Sequence, residues 1–298
     1  MSGHLPQRPL GRTGLEVSNL GFGGAVIGIE NYLQDGESGR ISESQALATL
    51  EAAVDAGITL FDTAPGYGDG RSEALIGRAL EKQRERVVIA TKVAMRVGTT
   101  YADWEASLAT SLERLRTDHV DVLQVHGNAW DEESADWLLG EPADWLEDVK
   151  QKGLSRSVGV TAEATSGALE HLVRSGRFDV LQIAYSVIYQ GACDYQREPV
   201  GIIPLAKDLG LGVTTMRTTT SGVFQRLLRS EFPDIDSARV NTLAIKFVLS
   251  TPEVDCALVG MSNVTELQRN AILAADEGDR LDLRKLHDFF GGWQDARA

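Results

Sequence analysis

Asp62, Tyr67, Lys92 and His126 are the residues of this 298-residue chain whose types could together move a proton onto or off an oxygen atom. The first two lie five positions apart in residues 58–73, ITLFDTAPGYGDGRSE. There an apolar run (Ile58, Leu60, Phe61) delivers Asp62 to a turn built from Pro65, Gly66 and Gly68, which carries Tyr67 before a helix expected near Ser72. A phenol with a pKa near ~10 releases its proton reluctantly at neutral pH, and a neighbouring ammonium lowers that value by stabilising the tyrosinate. Lys92 is suited to that task, and Asp62 beside it would hold the ammonium charged against desolvation. A neutral His126 could donate a hydrogen bond to a carbonyl oxygen, which Tyr67 would then protonate. Taken singly, each has a plainer reading: a turn carboxylate, a loop aromatic, a rim lysine with its stem on apolar surface, a satisfied strand-end histidine.

Elements that could bring these four together follow one another along the chain. Residues 8–19, with Gly11 and Thr13-Gly14 between alternating apolar positions, suggest a short hairpin, and residues 20–24 a first strand. Ser42 with Gln45 forms a capping-box pattern ahead of a helix ending at Gly57. Strands at 58–62, 87–92 and 120–126 place Asp62, Lys92 and His126 at their far ends, with helices at 72–80 and through Leu108, Leu112 and Leu115 between and after them. His119, just before the fourth strand, falls at the opposite end. Helices at 142–152, 164–175, 202–209, 238–249 and 264–275 alternate with strands at 155–160, 180–184, 212–216 and 256–260.

Eight strand–helix units in roughly 250 residues is the arithmetic of an α/β fold of the (β/α)8 TIM barrel type, and the near-continuous apolar strands suit a parallel sheet covered by helices. No composition shift divides the chain, so residues 1–298 are expected to form one barrel domain. A doubly wound dinucleotide fold is the alternative, but GFGGAV is followed by the polar stretch GIENYLQDGESGR rather than a helix, so Gly21, Gly23 and Gly24 read as structural. Active sites of barrels gather at the C-terminal strand ends, where the four reactive residues fall.

Composition narrows the partners. With 43 acidic against 29 basic residues the net charge is −14, which argues against nucleic acid or an anionic membrane surface. An anionic ligand must therefore be held by a local site. No stretch approaches the ~20 apolar residues of a membrane span and the N-terminal residues lack an apolar signal core, so a cytoplasmic protein is expected, as a monomer or weak homo-oligomer. Cys193 and Cys256 are too few and too far apart for a disulfide framework or a metal site.

The run D-T-A-P-G-Y-G with Ser72-Glu73 resembles the aldo-keto reductase signature, and L-G-R-T-G-L-E-V-S-N-L-G-F-G resembles that family's N-terminus, whose hairpin closes the bottom of the barrel. Asp62, Tyr67, Lys92 and His126 match the family tetrad residue for residue, and with the strand count the resemblance covers nearly the whole chain. It implies reversible hydride transfer between NAD(P)H and an aldehyde or ketone, or oxidation of an alcohol or sugar, without a metal and with Tyr67 as proton donor.

The dinucleotide positions fit that family less evenly. Gln182 matches the glutamine that holds the nicotinamide carboxamide, but the usual S-N pair is here Thr161-Ala162. Met216 stands where many members carry a stacking aromatic. The following loop, with Arg217, Thr218, Ser221 and Gly222, carries the cation and hydroxyls of a pyrophosphate strap. Gly260, Met261, Ser262 and Asn263 open a helix whose N-terminus could receive a phosphate or simply be capped by Ser262 or Asn263. Asn270 matches the adenine-contacting asparagine. Glu266, four residues before it, replaces an arginine that grips the 2′-phosphate in many relatives and tilts toward NADH, while Arg269 and Arg217 could supply the cation instead. NADP(H) is expected with a slight preference, and NAD(H) second.

Two other functions remain open. Met216 and Ala162 permit a non-catalytic nicotinamide-nucleotide-binding regulatory subunit, and a strand-end Lys92 permits a Schiff-base lyase. The mouth would be shaped by residues 25–40, 95–104, 127–135, 185–197 and 291–298, with Tyr101, Trp130, Tyr189 and Trp293 as candidate wall residues and Asn128 as a polar contact.

Overall fold

The computed structural model of the protein describes residues 5–32, 40–195 and 200–286. The expectations for residues 33–39, 196–197 and 291–298, Trp293 included, lie outside the described residues. Strands β1 (Gln7–Pro9) and β2 (Glu16–Ser18) pair antiparallel as a hairpin. Its Leu10, Leu15 and Val17 are buried together with Leu60, Val88, Val180 and Cys256, the first residues of barrel strands, and with Val122 in the first half of another, so the hairpin plugs the bottom.

Eight parallel strands close the barrel: β3 (Leu20–Gly23), β4 (Leu60–Asp62), β5 (Val88–Val93), β6 (Val120–Val125), β7 (Ser155–Ala162), β8 (Val180–Ala184), β9 (Gly212–Met216) and β10 (Cys256–Val259), the last pairing back onto β3. Every residue of β5 and β6 is buried, because one face meets the barrel interior and the other the helices, which is why these strands read as unbroken apolar runs. Their register is pinned at the strand starts. Asp121, Asp179 and Asp255 each accept from an amide of the preceding strand (Ile89, 2.8 Å; Val158, 3.1 Å; Val213, 2.9 Å). Each also pairs with a cation, Arg84, Lys150 or Lys207 respectively.

The helices, in chain order, are α1 (Ala25–Gly28), α2 (Glu43–Asp55), α3 (Arg71–Leu80), α4 (Tyr101–Leu115), α5 (Glu132–Leu138), α6 (Glu141–Gln151), α7 (Gly167–Arg174), α8 (Ile202–Asp208), α9 (Val223–Glu231), α10 (Ser237–Leu249) and α11 (Val264–Ala275). Ser42 caps α2 by accepting from the Gln45 amide, but the Gln45 side chain donates to the Ser262 carbonyl at 2.9 Å, so the expected reciprocal box is a single cap. A full box forms at Thr100 and Asp103, starting α4 seven residues before Leu108, the first apolar marker of its pattern. The single-turn α1, which begins inside GFGGAV where the sequence reading expects no helix, and the seven-residue α5 are too brief to show a period; α9 is amphipathic but short, directly behind the hydroxyl-rich residues 217–222, and the sequence reading places no helix there either. Among the described residues no helix is long and apolar enough to cross a membrane.

Candidate active site

Side chains alternate across a strand, and this places Asp62, Lys92, Gln124 and Gln182 in the barrel interior. Pairing register sets Lys92 beside Gln124 and Thr161 beside Gln182. Lys92 Nζ donates to Asp62 Oδ1 at 2.6 Å and to the Thr63 carbonyl at 2.8 Å. The ammonium also lies 5.0 Å from the centroid of the Tyr67 ring, whose edge meets the His126 ring at 6.0 Å and 85°.

Tyr67 is aimed by a turn in which two backbones touch. Gly68 has φ +67° and no room for a side chain: a Cβ would stand 2.1 Å from the Gly28 carbonyl oxygen, while one on Gly28 would stand 2.4 Å from that of Tyr67. Ser72 completes the turn, its amide donating to the Tyr67 carbonyl and its hydroxyl to that of Gly24.

Burial works against the Lys92 charge, but Asp62 and Tyr67 outweigh it and hold the ammonium above its ordinary range. The same burial pushes the Asp62 carboxyl up while Lys92, Gln182 and Gln124 pull it back. At 2.6 Å the two form an ion pair. For Tyr67 the structure corrects the sequence-based expectation: burial raises the phenol above 10, and Lys92 opposes the rise without reversing it. Tyr67 therefore stays protonated at neutral pH. Burial, with Lys92 and Arg96, lowers His126 to about 4, so its imidazole is neutral.

A cavity of ≈ 390 Å³ opens above these residues. Asp62, Tyr67 and His126 line it, as do Thr161, Gln182, Met216, Arg217, Thr218, Ser221, Gly222, Gly260, Ser262, Glu266 and Asn270. Lys92, 1% exposed, sits behind the wall. Several of these side chains already have partners. The Thr161 hydroxyl donates to the Gly127 carbonyl and accepts from the Gly127 amide, holding the loop after His126. Glu266 Oε2 accepts from both the amide (2.8 Å) and hydroxyl (2.9 Å) of Ser262, and Asn263 caps α11. Arg217, with φ +57°, is ion-paired with Glu163; burial works against its charge, and Glu163 outweighs this and holds the guanidinium above its usual value.

The candidate mouth aromatics fall elsewhere. Tyr101 packs on Trp104 and Trp145 along the outer helices, Trp130 is buried with its indole donating to the Thr161 carbonyl, and Tyr189 is not part of the cavity lining. Beside Tyr67 and His126, the aromatic in the wall is Tyr32, whose hydroxyl meets Ser221 Oγ at 3.3 Å. Asn128 lines the cavity as expected, joined by Glu163, Gln225, Arg226 and Arg229. Neither these nor Gln124 had a local sequence signal, except that a glutamine inside the apolar run of β6 is itself anomalous.

A family model described as the aldo/keto reductase family matches residues 19–240. L-galactose dehydrogenase of Arabidopsis thaliana is 30% identical over 289 residues, covering 88% of this chain and 86% of its own. Among solved structures, the holo form of aldo-keto reductase AKR11C1 from Bacillus halodurans superposes with a TM-score of 0.73 at 23% identity, covering 96% and 95% of the two chains. An aldo/keto reductase from Klebsiella pneumoniae, in complex with NADP and acetate, does so with a TM-score of 0.71 at 23% identity, covering 93% and 94%.

Proposed function

The chain belongs to the aldo/keto reductase family and is an NAD(P)-dependent oxidoreductase, and on that footing we propose that it interconverts an aldehyde or ketone with its alcohol, Tyr67 exchanging the proton with the substrate oxygen. The observation that carries this reading is the placement of the Lys92 ammonium, 2.6 Å from Asp62 Oδ1 and 5.0 Å from the Tyr67 ring. A phenol that is protonated at neutral pH is ready to donate, and the buried ammonium beside it stabilises the tyrosinate left behind. The neutral His126 donates to the same oxygen and orients it. In the oxidative direction the tyrosinate takes the alcohol proton back.

The cavity suits a nicotinamide dinucleotide. Gln182 would hold the carboxamide, Arg217, Thr218 and Ser221 the pyrophosphate, and Ser262, Arg269 and Asn270 the adenosine end. Thr218 Oγ1 and Arg269 Nε are buried polar atoms of cavity-lining residues with no hydrogen-bond partner among the described residues, which is the state a polar ligand would relieve. Bound there, the dinucleotide supplies the hydride. The K. pneumoniae relative binds NADP, and with Arg269 in the wall this favours NADP(H), with NAD(H) second.

A hydroxylated substrate, sugars included, is favoured by the polar wall of Asn128 and Glu163 and by the Arabidopsis relative, which is named for a sugar. Imine chemistry at Lys92 is disfavoured, because the amine is charged, ion-paired and buried. Following NADPH and NADH consumption against a panel of aldehydes, ketones and sugars, and the reverse reaction with the alcohols, tests the reading. Dinucleotide binding without turnover on any of them would favour a regulatory subunit.

A further inference from the structure

Gln124 is a polar residue, 2% exposed, in the interior of a barrel whose filling layers are ordinarily apolar. Its Nε2 donates to Gln182 Oε1 at 2.9 Å and to Asp62 Oδ1 at 3.4 Å. Both neighbours are acceptors at the contacting atom, so the nitrogen end must face them. Its own Oε1 is buried with no partner among the described residues. An unmatched buried carbonyl is destabilising, so the amide is held here at a cost, for what its N–H groups do. Room for it comes from β7: a Cβ on Gly159, its register partner, would stand 3.2 Å from Gln124 Cγ and 2.8 Å from the Val180 carbonyl oxygen.

The two acceptors belong to different halves of the proposed machinery. Asp62 holds the ammonium that serves Tyr67, and Gln182 is the candidate carboxamide ligand. Resting on the oxidoreductase reading above, we propose that Gln124 is a positioning residue that locks the Gln182 amide in one orientation and ties it to the Asp62–Lys92 pair, so that dinucleotide binding and the proton donor share one rigid support. With Gln182 Oε1 accepting from Gln124 and its own N–H turned toward the Asp62 carboxyl, the Gln182 amide cannot flip. The Gln124 N–H also favours the ionised form of Asp62, so removing it raises the carboxyl pKa. The other titratable groups around Asp62 are Lys92 on β5, Tyr67 in the turn after β4, His126 at the end of β6, and Cys256 on β10, whose buried thiol is held neutral.

The test combines Gln124→Leu and Gln124→Met with Gln182→Leu and the Gln124→Leu/Gln182→Leu double variant. NADPH affinity is read by cofactor fluorescence, and the pH profile of kcat/KM is measured for the two Gln124 variants. Expected is a loss of about three- to tenfold in NADPH affinity for Gln124→Leu, the size of one buried hydrogen bond. The double variant should bind no more weakly than Gln182→Leu alone. The acid limb of kcat/KM should move to higher pH in both Gln124 variants. Additive affinity losses, or wild-type affinity with an unmoved acid limb, would overturn the positioning role. Failure of wild type to bind either NADPH or NADH would overturn the proposed function together with it, so the two failures separate.

Discussion

Lys92 reaches Asp62 across two neighbouring strands, β5 and β4, with Nζ to Oδ1 at 2.6 Å and side chains only 1% and 6% exposed. A pair this dry does not tolerate the loss of one partner, since the other is left as a buried charge. Lys92→Met should abolish turnover and cost about 3–5 kcal/mol of stability. Denaturant unfolding of the purified variant checks this, and an inactive Lys92→Met with wild-type stability would mean that the pair is solvated.

His126 gives the fold a pH dependence of its own. The folded protein holds its imidazole at about 4, whereas the unfolded chain has it near 6.5. Below pH 6.5 the unfolded chain therefore binds the proton first, so stability falls as pH drops from 6.5 through 4 and is unaffected above. The shift corresponds to roughly 3 kcal/mol. Unfolding free energies measured across that window should fall less steeply for His126→Asn, and equal slopes would show that the imidazole is not desolvated.

Glu266 bears on nucleotide choice. Its Oε2 already accepts two hydrogen bonds from Ser262, and it lines the cavity near Arg269 and Asn270. A carboxylate there repels a 2′-phosphate, so Glu266→Arg should shift preference toward NADPH over NADH by roughly 1–2 kcal/mol. Paired fluorescence titrations give the ratio directly, and an unchanged ratio would place Glu266 away from the ribose.

Most of this architecture was legible because it is local. Near-continuous apolar runs, the mark of a parallel sheet covered on both faces, picked out all eight barrel strands, and the strand-end positions of Asp62, Lys92 and His126 followed from the barrel topology. Arg217 to Gly222 was legible as a hydroxyl-rich loop, but its pairing with Glu163 was not, since the partners lie 54 positions apart and meet only once the barrel closes. The raised phenol of Tyr67 was likewise hidden: the sequence places a cation beside it, and burial, which wins, depends on the packed turn at Gly28 and Gly68. Tyr101 and Trp130 misled for the same reason, because an aromatic in a candidate mouth segment can equally be packed into the helix layer.

Tyr67→Phe tests the central claim most directly, because it keeps the ring against Lys92 and His126 and removes only the exchangeable proton. The account predicts that turnover of the best carbonyl substrate falls by about 10²-fold or more, the range of general-acid loss, while NADPH affinity measured on the same preparation stays within about twofold of wild type. Near-normal turnover by Tyr67→Phe would contradict it.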